Sequence, residues 1–396
     1  MPLNPRAVLE AVAALGTVGS LFFYLLSALG MASFITDRKR GRPHKFRQPP
    51  LSQLPPVSIL KPMKGIDPEI WENCCSHCEQ DYPEFQLVFG VSDPADPAVE
   101  VVRRLQAKYP SLPVELIVCD RVLGTNIKVS NLAQMLPVAR HETLLVNDSD
   151  IRVPTDYLRN ALIPLADSSV GLVTCLYRGV AGPTLGSRLE ALGIGTDFVP
   201  GILSARFLEK GLYFGLGSTL AFRRRDLEAL GGFEPLLDYL ADDYELGRRI
   251  AAAGKRVELS AATVATFLPA YTLREFFRHQ LRWSRTIRDA RSAGYVGLLF
   301  TFGLPWALLT LFAAHGAMWA WALFAMTIAV RLAVGFVAAR VVLHDNRVFR
   351  DLYLLPLRDL IAPLVWAASF MSNRIHWRGD SFVLKDGKLT RTSAPS

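Results

Sequence analysis

Two carboxylates, Asp148 and Asp150, stand one residue apart at the end of an apolar run in TLLVNDSDIRVP. An apolar strand that delivers two acids at its tip either enters a polar turn or holds a cation. A hard divalent ion such as Mg2+ or Mn2+ takes oxygen ligands of this kind. Asp93 in GVSDPADPA follows another apolar run and precedes a proline, and turn chemistry alone accounts for it. Asp242 and Asp243 in ADDYELGRRIAAAG open a stretch with helical spacing, where negative charge is favoured at the N-terminus in any case. A helix cap and a chemical role therefore both stand for Asp243. A further group lies in TLREFFRHQLRWSRTIRDARS, residues 272–292. Arg274, Arg278, Arg282, Arg285 and Arg288 recur every three or four residues there and make one basic stripe, with Phe276, Trp283 and Ile287 on the other side. Such a helix suits a membrane surface. CCSHCEQ, with His77, has zinc-ligand residue types but no second pair at finger spacing, and reads as reduced thiols on a helix.

A sheet is needed to hold these groups. The runs VSILKP, FQLVFGVSDP, VELIVCD, TLLVNDSD and VGLVTCLY have strand character, and helical stretches near 68–79, 97–108 and 127–138 separate the first four. That alternation predicts an α/β domain over residues 57–271, with a mostly parallel sheet and helices on both faces. Ligands of such sheets bind beyond the carboxyl ends of the strands. Here those ends carry Lys61, Asp93, Asp120 and Asp148.

The chain has 396 residues, 51% of them apolar, and the apolar excess gathers at both ends. Residues 9–35 form an uncleaved transmembrane span by length and by the lack of any charge after Glu10. DRKRGRPHK follows with five Lys or Arg, which places this flank, the linker 36–56 and the domain behind it in the cytoplasm. The excess of 44 basic over 36 acidic residues then points to anionic lipid rather than nucleic acid. Residues 294–371 make a second membrane region. Two spans, 294–315 and 316–339, come first, and Arg331 in the second faces protein or water rather than lipid. A third segment, 352–371, carries Arg358 and Asp359, and the basic tail 372–396 favours an interfacial or re-entrant course for it.

Taken in order, GVSDPAD, NDSDIRV, ADDYELG and HQLRW resemble the motifs of membrane-bound family-2-like glycosyltransferases: three spaced aspartates followed by (Q/R)xxRW. The sequence is most similar to the ceramide glucosyltransferase family (family 21), including its bacterial hopanoid-associated members, through SILKPMKGIDP, QDYPEFQLVFGVSDPADPA, GTNIKVSNL and DSDIRVP. His279 departs from the Gln or Arg of the first motif position, with Arg278 and Gln280 beside it. The resemblance implies a GT-A fold and an inverting transfer of glucose or N-acetylglucosamine from a UDP-sugar to a lipid hydroxyl, on a ceramide or a hopanoid polyol. It places the enzyme in a membrane, the bacterial inner membrane for the hopanoid members. It also implies residue roles. Asp150 and Asp148 would hold Mg2+ or Mn2+, Asp148 also contacting the donor sugar. Asp93 would bind the uridine end, and Lys61 and Lys128 the nucleotide or its phosphates. Asp243 would be the base, while Gln280, Arg282 and Trp283 would meet the pyrophosphate and the acceptor. A processive polysaccharide synthase shares these motifs, though with more spans. A basic membrane-surface nucleotide-binding module without activity is the non-enzymatic alternative.

Overall fold

The computed structural model describes residues 4–39, 54–377 and 380–391. Residues 40–45 of the basic run and most of the 36–56 linker lie outside them. The chain divides into two compact units. One comprises residues 1–36, 183–209 and 270–386, and the other residues 37–182, 210–269 and 387–396. The block expected to run unbroken from 57 to 271 is thus interrupted by 183–209, which groups with the apolar helices. Its helix Val199–Leu208, VPGILSARFL, is apolar enough to be at home there.

The sheet unit contains eight strands: β1 (Val57–Pro62), β2 (Phe85–Val91), β3 (Val114–Val118), β4 (Thr143–Val146), β5 (Ile151–Arg152), β6 (Val170–Val180), β7 (Leu220–Arg223) and β8 (Arg256–Phe267). Their order is β3-β2-β1-β4-β7-β6-β8-β5. β1 is parallel to β2 and β4, β2 to β3, and β6 to β8. Only β7 and β5 run against the rest, which makes the sheet mostly parallel, as expected. β1, β2 and β4 are buried along their whole length, the signature of strands covered on both faces. Helices Ile70–Cys78, Ala98–Lys108 and Ile127–Met135 connect the first four strands, close to the expected bounds.

In the other unit, three helices among the described residues are long and apolar enough to cross a membrane: Pro5–Lys39, Met318–Val342 and Val348–Ser369. The first has 35 residues, or roughly 52 Å at helical rise, well beyond the hydrocarbon thickness. Its buried stripe is mostly small (Ala13, Gly16, Thr17, Ser20, Ser27, Gly30), with Tyr24, Met31 and Phe34 among them, whereas Leu15, Phe22 and Leu25 are exposed. Small residues let apolar helices pack closely. A Cβ on Gly16 would stand 2.3 Å from the Trp306 ring, and one on Gly30 2.4 Å from the Leu203 carbonyl oxygen. The expected span 294–315 is instead two pieces, Ser292–Thr301 and Gly303–Ala313, bent by 53°. The segment expected to be interfacial or re-entrant, 352–371, largely coincides with a helix of spanning length, Val348–Ser369. Its charges do not oppose crossing, because Arg358 and Asp359 are buried against other charged groups of this unit.

Candidate active site

Parallel strands put their carboxyl ends on one edge, and β1 and β4 are adjacent, so Lys61 and the Asn147–Asp150 turn meet. The Lys61 ammonium donates to the Asp148 carbonyl oxygen at 2.9 Å and lies 3.5 Å from His77 Nε2. His77 Nδ1 bonds the Asn73 carbonyl at 2.9 Å, which leaves Nε2 bare to face the lysine. Lys61 is wholly buried, and burial lowers its pKa. The expected phosphate contact at Lys61 is corrected on this ground: its ammonium secures the turn from within. Ser149 donates to Asp67, and Thr266 of β8 donates to Asp150 Oδ2 at 2.6 Å.

Lys128 keeps its place at the site. It stands on the first turn of Ile127–Met135, whose cap Asn126 accepts from Val129 N and donates to Asp242. Its ammonium lies 2.8 Å from Asp148 Oδ1 and 3.2 Å from Asp242 Oδ2. Burial works against the charge on Lys128, but Asp148, Asp242 and Asp243 prevail and hold its pKa above the usual value.

The third acid arrives through glycines. The loop before β7 carries Gly215 and Gly217, and helix Asp242–Ala252 has Gly247 beneath it. A Cβ on Gly247 would stand 2.3 Å from Gly215 N, so the loop rests directly on the helix. A Cβ on Gly217 would stand 3.2 Å from Asp148 Oδ2 and 3.2 Å from Asp243 Oδ2. The two carboxylates therefore come within twice that distance of each other, with no side chain between them. Asp243 Oδ1 accepts from Tyr244 N at 2.8 Å, within the first turn of the helix, whose N-cap Ala241 offers no side-chain cap. Burial, then Asp242, pushes the Asp243 carboxyl up to about 6. Burial, then Asp148, does the same for Asp150, to about 6. Residues 387–391 back this wall of the site: Leu240 N donates to the Gly387 carbonyl and Leu389 N to that of Asp238.

Two half-shielded acids, one on each side of Ser149, fit a divalent cation, and the raised carboxyl of Asp150 adds to the demand for one. No group of three or more acids, histidines or cysteines able to hold a metal occurs among the described residues. A cation here would complete its shell with water and phosphate oxygens, the habit of Mg2+ and Mn2+. Asp93 is exposed beyond β2, and its Oδ1 accepts from Ala95 N at 2.8 Å, the expected turn. The five cysteines are buried free thiols, and burial pushes Cys74 up to about 11.

Gln280, Arg282 and Trp283 belong to the other unit, on helix Leu273–Ala290, which Thr272 and Glu275 cap reciprocally. Phe276 is fully buried against Leu189, Leu192 and Leu355. Trp283 lies between Phe198 and His279, with ring centroids 5.7 Å and 5.4 Å away. The basic stripe is not wholly outward: Arg285 donates to the Arg374 carbonyl and Arg288 to that of Ser369. Gln280, expected at the pyrophosphate, is engaged at both ends of its amide instead, by Glu190 and Arg358. Glu190, which sequence reading missed, is buried. Even so, His279 and Gln280 bring its carboxyl below the usual range against the effect of burial.

The profile of glycosyl transferase family 21 matches residues 20–390. Ceramide glucosyltransferase 1 of Caenorhabditis elegans is 24% identical over 406 residues, covering 99% of this chain and 84% of that protein. The ceramide glucosyltransferase of Candida albicans is 35% identical over 121 residues, covering 28% of this chain and 22% of that protein. Among solved structures, the mannosyltransferase PcManGT of Pyrobaculum calidifontis, in complex with GDP-Man and Mn2+, superposes with a TM-score of 0.57 at 24% identity. It covers 90% of this chain and 98% of that one. That likeness bears on the fold and agrees with the α/β, GT-A-type expectation.

Proposed function

This chain belongs to glycosyl transferase family 21, and we propose that it moves glucose or N-acetylglucosamine from a UDP-sugar to a hydroxyl of a membrane lipid, with inversion. Membership makes it a glycosyltransferase. The relatives named for ceramide, together with the apolar helices, favour a ceramide as acceptor, and a hopanoid polyol is the alternative.

The observation that carries this reading is the approach of two unlike carboxylates to Gly217. Asp148 is paired with Lys128 and belongs to the donor side. Asp243, lifted to about 6, is mostly ionised at neutral pH yet basic enough to accept a proton. The acceptor oxygen bonds to the anomeric carbon, its proton goes to Asp243, and the bond to the UDP oxygen breaks. One base and one displacement give inversion. Asp148 and Asp150 would hold the Mg2+ or Mn2+, which when bound neutralises charge developing on the leaving diphosphate. Lys128 adds to the positive field there. Asp93 meets the uridine end, and Arg282 and Trp283 meet the acceptor. The sheet unit faces the cytoplasm, where UDP-sugars are made, and the membrane is a bacterial inner membrane.

Incubating membranes that carry the protein with UDP-glucose or UDP-N-acetylglucosamine, followed by mass spectrometry of extracted lipids, tests this. A lipid gaining one hexose or N-acetylhexosamine is expected. A long polymer would instead identify a processive synthase, and no gain with either donor would overturn the reading.

A further inference from the structure

A largely buried polar chain runs through the helices of the membrane unit and ends on the turn that carries Arg282 and Trp283. Glu190, on helix Leu185–Gly193, is 1% exposed. Its two oxygens are taken by consecutive residues of helix Leu273–Ala290: His279 Nδ1 at 3.0 Å on Oε1, and Gln280 Nε2 at 2.8 Å on Oε2. The other end of the Gln280 amide accepts from Arg358 Nη2 at 2.9 Å. Arg358 lies 3.4 Å from Asp197 Oδ2, Asp197 bonds Arg331, and Arg331 also forks onto Asp359 at 2.7–3.2 Å. Gly193 leaves Arg358 room to pass, since a Cβ there would stand 2.8 Å from its Nε.

The charged groups of this chain have a fixed sense. A carboxylate only accepts and a guanidinium only donates, so the Gln280 amide has one permitted orientation between them. Rotating the helix by one residue would place Leu281 against Glu190 and leave a buried carboxylate short of a donor, a costly arrangement. His279, held by Glu190, in turn stacks on Tyr271 and against Trp283, with centroids 5.4 Å away in each case.

We propose that Glu190 is a positioning residue: by gripping His279 and Gln280 it sets the rotation of the helix that presents Arg282 and Trp283. This rests on the transferase reading in assigning those two side chains to the acceptor. Glu190→Gln tests it in the full chain in detergent, because an amide offers one acceptor and one donor where two donors converge. Transfer should fall about 10–100-fold, the usual cost of a small misplacement. Mn2+-dependent UDP binding should change less than about twofold, being a property of the sheet unit, and Glu190→Asp should restore part of the rate. Acrylamide quenching of tryptophan fluorescence should rise in Glu190→Gln, and the rise should vanish on a Trp283→Phe background. If Glu190→Gln does not fold, Gln280→Met, which cuts the same link from the helix side, carries the same expectations. Unmoved transfer or unmoved quenching overturns the proposal. If the unaltered protein transfers no sugar, the functional reading has failed, and the quenching difference alone decides the role of Glu190.

Discussion

Both units gather acids and bases out of water, but they balance them differently. At the strand tips Asp148, Asp242 and Asp243 crowd around Lys128 and Asp150 stands close to Asp148, while the ammonium of Lys61 is spent on a carbonyl oxygen. Two of these carboxyls are left with raised pKa values. In the helical unit Asp359 and Asp197 share Arg331, Asp197 also has Arg358, and Glu190 is satisfied twice. A buried charge with its partner in place is architecture. A surplus of like charge at the end of a sheet is a standing demand for a cation or a proton, and such demand marks sites of chemistry.

Breaking the balanced cluster should cost the most. Arg331→Met leaves Asp359 and Asp197 without their shared cation, and a loss of about 3–5 kcal/mol is expected. It should show as aggregation in size-exclusion chromatography of detergent extracts, with Arg331→Met/Asp359→Leu recovering much of the monodisperse peak. Next comes the base. Asp243→Asn should lower turnover by roughly 10²–10⁴ while UDP affinity holds. The parent's rate should rise with pH through about 6 and level above it, because only the ionised carboxylate accepts a proton. The residual activity of Asp243→Asn should lack that limb.

Asp150→Asn should act on binding instead, weakening Mn2+-dependent UDP binding by about 10–100-fold in isothermal titration. Equal loss of UDP binding in both variants would erase the distinction between a donor-side and an acceptor-side acid. The smallest effect is on stability. Both carboxyls sit above the ordinary 3.8 in the fold, so the folded state binds more protons than the unfolded chain between about pH 4 and 6. Stability contributed by the protonated forms is full below that window and lost on passing up through about 6. Without metal at pH 7, Asp150→Asn and Asp243→Asn should therefore melt about 1–3 °C higher than the parent, with no gain near pH 3. A lower melting point at pH 7 would show that these acids are stabilised by the fold rather than strained by it.

The strands that position the site differed in how plainly they could be read. β1, β2 and β4 are continuous apolar runs because helices cover both faces, so burial alone marks them in the sequence. β7 is only LAFR, and β8, RVELSAATVATF, mixes small polar residues with apolar ones. Their pairing comes from distant partners, Val146 with Leu220 and Thr266 with Ile151, which local pattern does not encode. Lys61 reads as a solvent-seeking charge by type, yet its place inside a parallel strand buries it completely.

By itself the sequence determined the apolar ends of the chain, the α/β alternation, the order of the aspartates and the QLRW helix, because period and composition are local properties. Tertiary structure decided which acids meet. Gly217 matters through the close approach of Asp148 and Asp243 on either side of it, 95 residues apart in the chain. Segment 183–209 joins the membrane unit because its helices bury small and apolar faces there, and Glu190 finds His279 only through that excursion. Hydrogen-bond partners and the balance of buried charge depend on three-dimensional neighbours, and no window of sequence contains them.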